Sequence, residues 1–260
     1  MKAMLAALVY IVVFFYFTAA LLYLRGAGKE RLLKAAFALA GLGCVFHLVA
    51  LVTRTTLSGI PPLTNGTEFL LSFTWFTVFL YLLFTLRYRI KGAGGMVMLF
   101  SALLVSLAAL FMQDQLMVVA PLTPALKSPW LTVHVITAAV AYAAFTLAAG
   151  LAVMQFFKTD QAVRDEYLHL LVGGGFTLLS SSIVLGAVWA EQAWGRYWSW
   201  DPKETWALLT WIIYALYLHL HRSREWRGSH ARLLVIAGFI LMLFTFFGVN
   251  YLLPGLHSYA

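Results

Sequence analysis

Residues 4–24 read MLAALVYIVVFFYFTAALLYL, an apolar run without a charged side chain. At the usual helical rise such a run is about 30 Å long, the thickness of a bilayer's hydrocarbon core. It is too long for the apolar part of a secretory signal peptide and lacks a clear small-x-small cleavage site, so it is expected to remain as a span. Further runs of this kind follow at about 33–53, 68–86, 95–112, 130–156, 168–190, 203–221 and 233–253. With 62% hydrophobic and only 11% charged residues, a soluble fold of 260 residues could not cover its surface. The expected architecture is an all-α polytopic membrane protein of about eight transmembrane helices, one integral-membrane domain over residues 1–260.

The cations assign the sides of the bilayer. Connections holding Arg25, Lys29, Arg31, Lys34, Arg87, Arg89, Lys91, Lys158, Arg164, Arg222, Arg224, Arg227 and Arg232 carry thirteen of the 18 Lys and Arg. The alternate connections hold Arg54, Lys127, Arg196 and Lys203, with Lys2 near the N-terminus. Positive charge gathers on the inner side, which places both termini outside. The net charge of +8 is then a topology signal, and nucleic acid is not implied because no basic run is interleaved with polar or aromatic readers. The single cysteine, Cys44, lies within a span, which excludes an internal disulfide and a Cys-x-x-Cys pair and suits a packing residue. Gly173, Gly174 and Gly175 are expected to serve close helix packing.

One outer connection stands apart. Residues 194–206 read WGRYWSWDPKETW and hold four of the chain's nine tryptophans, two cations and two carboxylates. Indole rings favour the membrane interface and stack on planar groups. An aromatic belt scatters one or two such rings per helix end, so this density suits a flat, mostly apolar ligand with anionic edges, as haem is. Asp201, Pro202 and Glu204 have a local explanation as well: an N-cap, a proline at the first helical position and the far half of a capping box. Asn65-Gly66-Thr67-Glu68 offers the same arrangement for the third span. Asn65-Gly66-Thr67 also matches a glycosylation sequon, but the helix start suffices to explain it.

Four of the seven histidines are candidate iron ligands. His47 and His219 fall within the second and seventh spans, where an imidazole is costly and tends to mark function. Either alone could simply bond across to another helix; on different helices at similar depth they could supply two axial nitrogens to one iron. His221 is two residues beyond His219, about 200° around the helix, so the two cannot face the same iron. His219 is the deeper, and His221 is expected to reach toward the inner interface beside Arg222. His169 and His230 fall in or beside inner loops, solvated or among headgroups. His134 and His257 lie on the side of the Trp-rich connection. Each alone could be an ordinary exposed histidine; together they could ligate a planar ligand there from both faces.

The Trp-rich stretch W-G-x-Y-W-x-W-D-P-K-E-x-W resembles the "WWD" motif of haem-handling proteins in cytochrome c maturation, here about residues 191–206. Its continuation Trp206-Ala207-Leu208-Leu209-Thr210-Trp211 is similar to the CcsA (ResC) family rather than to the related CcmC. The resemblance extends over most of the chain: His134 in S-P-W-L-x-x-H-V, His257 in G-L-H-S-Y, His47 in H-L-V-A-L-x-x-R followed by G-I-P-P-L-T-N-G-x-E, and His219 in Y-A-L-Y-L-H. It implies a membrane site, with His47 and His219 as axial ligands, that takes haem b from inside and passes it to an outer site. There His134 and His257 would ligate the iron while Trp194, Gly195, Tyr197, Trp198, Trp200, Asp201 and Trp206 hold the ring. The vinyl groups would meet the thiols of a Cys-x-x-Cys-His apocytochrome c. The implied setting is a system II cytochrome c haem-attachment (synthase) complex with a CcsB (ResB)-like membrane subunit, in a bacterial inner membrane or a thylakoid-type membrane. His221 departs from the pattern. Two other readings remain at this stage, a bis-histidine membrane cytochrome b that transfers electrons and a transporter of another substrate. Neither explains the Trp-rich connection, and few intramembrane charges or broken helices suggest a transporter.

Overall fold

The computed structural model describes residues 1–88, 90, 93–118, 124–157, 165–223, 226 and 228–255, with the side chain of Phe157 excepted. Each apolar run becomes a helix: α1 (Lys2–Arg25), α2 (Glu30–Ser58), α3 (Gly66–Tyr88), α4 (Gly94–Phe111), α6 (Pro129–Phe157), α7 (Asp165–Trp194), α8 (Pro202–Leu220) and α9 (Ser229–Leu243). A short α5 (Gln113–Met117) and a 3-10 turn (Pro124–Lys127) lie between α4 and α6; α9 continues through a π turn (Phe244–Gly248) into α10 (Val249–Leu252). Among the described residues seven helices are long and apolar enough to cross a membrane. The seventh expected run, α8, has the length, at 19 residues, but Lys203, Glu204, His219 and its Trp and Tyr side chains dilute its apolarity.

The chain divides into two compact units, Met1–Ala120 and Pro121–Ala260. In the first, α1 packs against α2 and α4, and α3 packs against α4 and α2. α2 ends at Gly59, whose φ of 76° is left-handed and whose N–H bonds the Thr55 carbonyl. α3 then starts as expected at Asn65, whose side-chain oxygen accepts the Glu68 N–H at 2.8 Å. The return half of the box is displaced by one residue: Glu68 bonds the N–H and hydroxyl of Thr64. The Asn65 amide nitrogen donates to the Gln115 carbonyl, which ties the start of α3 to α5.

Arg54 departs from its expected place in an outer connection. α2 runs on to Ser58, which puts Arg54 inside the helix, buried, with Nε 2.8 Å from the Glu68 carboxylate. Its guanidinium also donates to the carbonyl of Val118. It is an internal ion pair tying α2 to the start of α3. Cys44 is a buried free thiol, as expected of a packing residue, and its carbonyl accepts the Trp75 indole N–H.

In the second unit α6 packs against α7 and α9, and α8 against α9 and α7. Of the three consecutive glycines only Gly175 makes a close approach, since a Cβ there would sit 2.6 Å from the Phe145 ring. The start of α8 is bound to the chain's last described segment. Lys203 Nζ donates to Asn250 at 2.6 Å, Thr210 pairs with Thr245, and Trp206 packs on Phe244 of the π turn at 4.3 Å.

Candidate functional site: a tryptophan-rich connection and buried imidazoles

The Trp-rich connection is held at both ends by helix termini. α7 ends on Trp194, and Gly195 takes the left-handed conformation (φ 72°) while its N–H bonds the Glu191 carbonyl. At the other end the Asp201 carboxylate accepts the Lys203 N–H at 2.9 Å, and the Glu204 carboxylate accepts from the N–H groups of Asp201 and Ser199. With Pro202 opening the helix, this is the capping box expected of Asp201 and Glu204. The box draws the chain tight over Trp200, the only non-glycine residue with positive φ (57°) among those described. A side chain in that region costs about 1–2 kcal/mol, and such strain persists where surrounding structure over-determines it, often at functional sites.

The rings of the connection are differently placed. Tyr197 and Trp200 are largely exposed, at 61% and 68%. Trp198 meets Trp200 edge-on with centroids 5.7 Å apart, and its indole nitrogen is buried without a hydrogen-bond partner. Trp194 meets Trp189 edge-on at 4.8 Å, and Trp189 in turn lies parallel to the His134 ring at 6.4 Å. So α7 joins His134 on α6 to the Trp-rich connection through Trp189, a ring that the sequence reading did not single out.

His134 is held by three residues of α7. Its Nδ1 lies 2.7 Å from the Ser182 carbonyl oxygen, and the Ser182 hydroxyl donates to the His134 carbonyl at 3.1 Å. The Ser182 hydroxyl is also 3.1 Å from Nδ1, but the shorter contact is to a carbonyl, which cannot donate, and it favours the tautomer with the proton on Nδ1 and the lone pair on Nε2. Ligation of iron through Nε2 needs that tautomer. Gly186 provides the room, since a Cβ there would lie 2.7 Å from the imidazole Cε1. Ser182, Gly186 and Trp189, spaced four and three apart, share one face of α7.

His47 is 1% exposed in the first unit. Its Nδ1 pairs with the Tyr16 hydroxyl of α1 at 3.1 Å, and its Nε2 is buried with no hydrogen-bond partner. A buried polar nitrogen without a partner is costly, and coordination to a metal would satisfy it. In the second unit His219 is exposed on the face of α8 that also bears Leu209, Ile212 and Leu216. His221 occupies the opposite face with Tyr214 and Tyr217, and stacks on His169 with centroids 4.5 Å apart. His169 is exposed, as expected, and the His221 ring packs on it. The two faces of α8 separate His219 from His221 as helical geometry demands. His257 lies outside the described residues; Gly255 before it fits against the cap of α8, where a Cβ would be 2.5 Å from the Asp201 carboxylate.

The ring nitrogens of His47 and His134 have the donor chemistry that a haem iron takes. Imidazoles with fixed or unsatisfied ring nitrogens supply the chemistry of axial ligation, and Trp198 leaves an indole N–H unused beside exposed rings. The fold defines a polytopic helical membrane protein. The family profile for cytochrome C assembly proteins matches residues 63–257. Curated relatives include the cytochrome c biogenesis protein CcsA of Chlamydomonas reinhardtii, 35% identical, covering 85% of this chain and 67% of the relative. CcsA of Guillardia theta is 34% identical, covering 84% of this chain and 83% of the relative. CcsA of Prochlorococcus marinus (strain MED4) is 32% identical over 83% of this chain and 80% of the relative. Among solved structures, the cytochrome c haem lyase CcmF superposes with a TM-score of 0.76 at 18% identity, over 95% of this chain and 47% of CcmF. That likeness concerns the fold, and the chain spans about half of CcmF's length. The chain belongs to the CcsA family of cytochrome c biogenesis proteins.

Proposed function

We propose that this chain is the haem-handling membrane subunit of a system II cytochrome c synthase. It binds haem b within the bilayer, brings it to the outer face and presents it to apocytochrome c. The observation that carries the reading is His134: the Ser182 carbonyl favours its proton on Nδ1, and its ring is joined through Trp189 to the Trp-rich connection. His257 is the second outer ligand; Trp194, Gly195, Tyr197, Trp198, Trp200, Asp201 and Trp206 frame the ring. His47 and His219 keep the role of membrane ligands that the family resemblance gives them. Both termini and the Trp-rich connection face outward, in a bacterial inner membrane or a thylakoid-type membrane, beside a CcsB-like subunit.

Haem is cargo here. Each thioether forms when a cysteine S–H adds across a vinyl double bond, the sulfur joining one carbon and the hydrogen the other, with nothing lost. Asp201 and Glu204 are engaged in capping, so the protein's contribution is placement: holding the vinyl carbons where the two thiols of Cys-x-x-Cys-His arrive in one stereochemistry. An electron-transfer cytochrome b leaves the strained Trp200 and the exposed rings around it without a purpose.

The visible spectrum of the purified chain tests the reading. The wild-type protein should carry haem with a low-spin bis-imidazole signature. His134→Ala should block cytochrome c maturation in cells while haem remains in the membrane site. His219→Ala should lower haem content or alter its spectrum, whereas His221→Ala, on the opposite face of α8 and stacked on His169 and Tyr217, should not. A colourless wild-type protein, or loss of haem with His221→Ala but not His219→Ala, refutes the assignment.

A further inference from the structure

We propose that Tyr16 is a positioning residue for haem ligation: its phenolic oxygen accepts the His47 Nδ1–H and thereby commits Nε2 to the iron. This rests on the reading of His47 as a membrane ligand. Nδ1 and the Tyr16 hydroxyl are 3.1 Å apart, both residues are buried, and the rings meet edge-on with centroids 5.9 Å apart. The hydroxyl can either donate or accept. As donor it would fix the proton on Nε2, and that nitrogen, buried and without a partner, would then be a stranded N–H unable to bind metal. As acceptor it turns the Nε2 lone pair toward a ligand. Metal-bound histidines almost always donate their second N–H to an oxygen, which fixes the ring's orientation and raises its basicity.

The backbone is shaped to deliver that oxygen. Gly43 lies one turn before His47 on α2, and a Cβ there would be 2.8 Å from the Tyr16 ring atoms Cδ1 and Cε1 and 3.0 Å from the Phe15 Cβ. Only glycine lets the phenol cross α2 at this level and reach the next turn. His134 receives the same service from another source, the Ser182 main-chain carbonyl, with Gly186 supplying the room. The two imidazoles are thus built alike, each with a small residue admitting the ring and an oxygen on Nδ1. The acceptors differ in strength: a carbonyl oxygen holds a proton more firmly than a neutral phenol, so the His47 ligand is the weaker donor, as suits a site that must give its haem up.

The test is the full chain purified with its haem in a His134→Ala background, so that the membrane haem alone is read. Tyr16→Phe keeps the ring and removes the oxygen. It should weaken haem retention by about 10-fold or more, the usual cost of losing an outer-shell partner, and move the reduction potential upward, because a less basic imidazole favours ferrous iron. A purely structural role for Tyr16 would not shift the potential. A second comparison does not depend on how Tyr16→Phe folds: in His47→Gly, added imidazole can donate an N–H to Tyr16 and 1-methylimidazole cannot. Imidazole should give the tighter complex and the lower potential. Unchanged potential and retention in Tyr16→Phe, or equal behaviour of the two imidazoles, overturns the proposal while leaving His47 a ligand. If His47→Ala itself leaves the spectrum untouched, the reading of His47 falls and the proposal with it.

Discussion

Gly186→Ala places a single methyl group against His134, and its consequence can be worked from distances. The added Cβ would lie 2.7 Å from Cε1 and 2.8 Å from Nδ1 of the imidazole. Carbon–carbon contact is comfortable near 3.5 Å, so the ring or the helix must yield by about 0.8 Å. The ring starts with Nδ1 only 2.7 Å from the Ser182 oxygen, and a retreat of that size takes the pair beyond ordinary hydrogen-bond distance, roughly 3.2 Å. A lost hydrogen bond is worth about 1 kcal/mol and overpacking costs about 1–3 kcal/mol. The prediction is a destabilisation of about 1–3 kcal/mol from overpacking if the ring stays, or a lost hydrogen bond of about 1 kcal/mol and a misaimed Nε2 if it leaves. Ser182→Ala is the companion: it deletes the hydroxyl but keeps the main-chain acceptor, and should be much milder. The assay is haem content and bis-imidazole spectrum of the outer site, with thermal unfolding in detergent. A Gly186→Ala protein as stable and as haem-loaded as the wild type would refute the claim that this glycine makes room for a ligand.

Trp200 permits a comparison of two truncations. Trp200→Gly and Trp200→Ala both remove the ring and should both weaken outer haem binding, but glycine also relieves the φ of 57°, so it should unfold later, by about 1 kcal/mol. Equal stabilities would mean that the backbone there relaxes with any small residue. At the other unit, Arg54→Met leaves Glu68 buried opposite an apolar side chain and should cost about 3–5 kcal/mol, whereas Arg54→Met/Glu68→Gln should recover much of it. Thermal unfolding of the two proteins decides; similar losses in both would show that the carboxylate is not stranded by the single change.

The spans were legible because hydrocarbon demands long apolar runs with internal hydrogen bonds, a constraint written along the chain. The start of α8 was legible because Asp201, Pro202 and Glu204 act over three residues and need no tertiary partner. What could not be read concerned groups brought together by packing. Arg54 looked like a cation of an outer connection, since nothing near it in sequence says that α2 continues and that Glu68 waits across a turn. Trp189 sat in an apolar run like any core ring; only the neighbouring helix makes it the link between His134 and Trp194. The stack of His221 on His169 brings α7 against α8, and no local pattern encodes it. Tyr16 and Gly43 were invisible for the same reason, although Ser182 and Gly186 left a faint mark as small residues four apart beside a tryptophan. The left-handed backbone at Trp200 runs against residue preference altogether.

The ion pair between Arg54 and Glu68 also bears on how the chain enters a membrane during synthesis. A guanidinium deep in a span costs about 3 kcal/mol on insertion, somewhat less near the interface. α2 emerges first and carries that cost alone until Glu68, fourteen residues later, is available. The first segment in which the charge is matched is the hairpin of α2 and α3. Release of the two helices together into lipid is therefore favoured over release one by one. A chain that lost Glu68 would present the insertion machinery with an unmatched cation in its second helix.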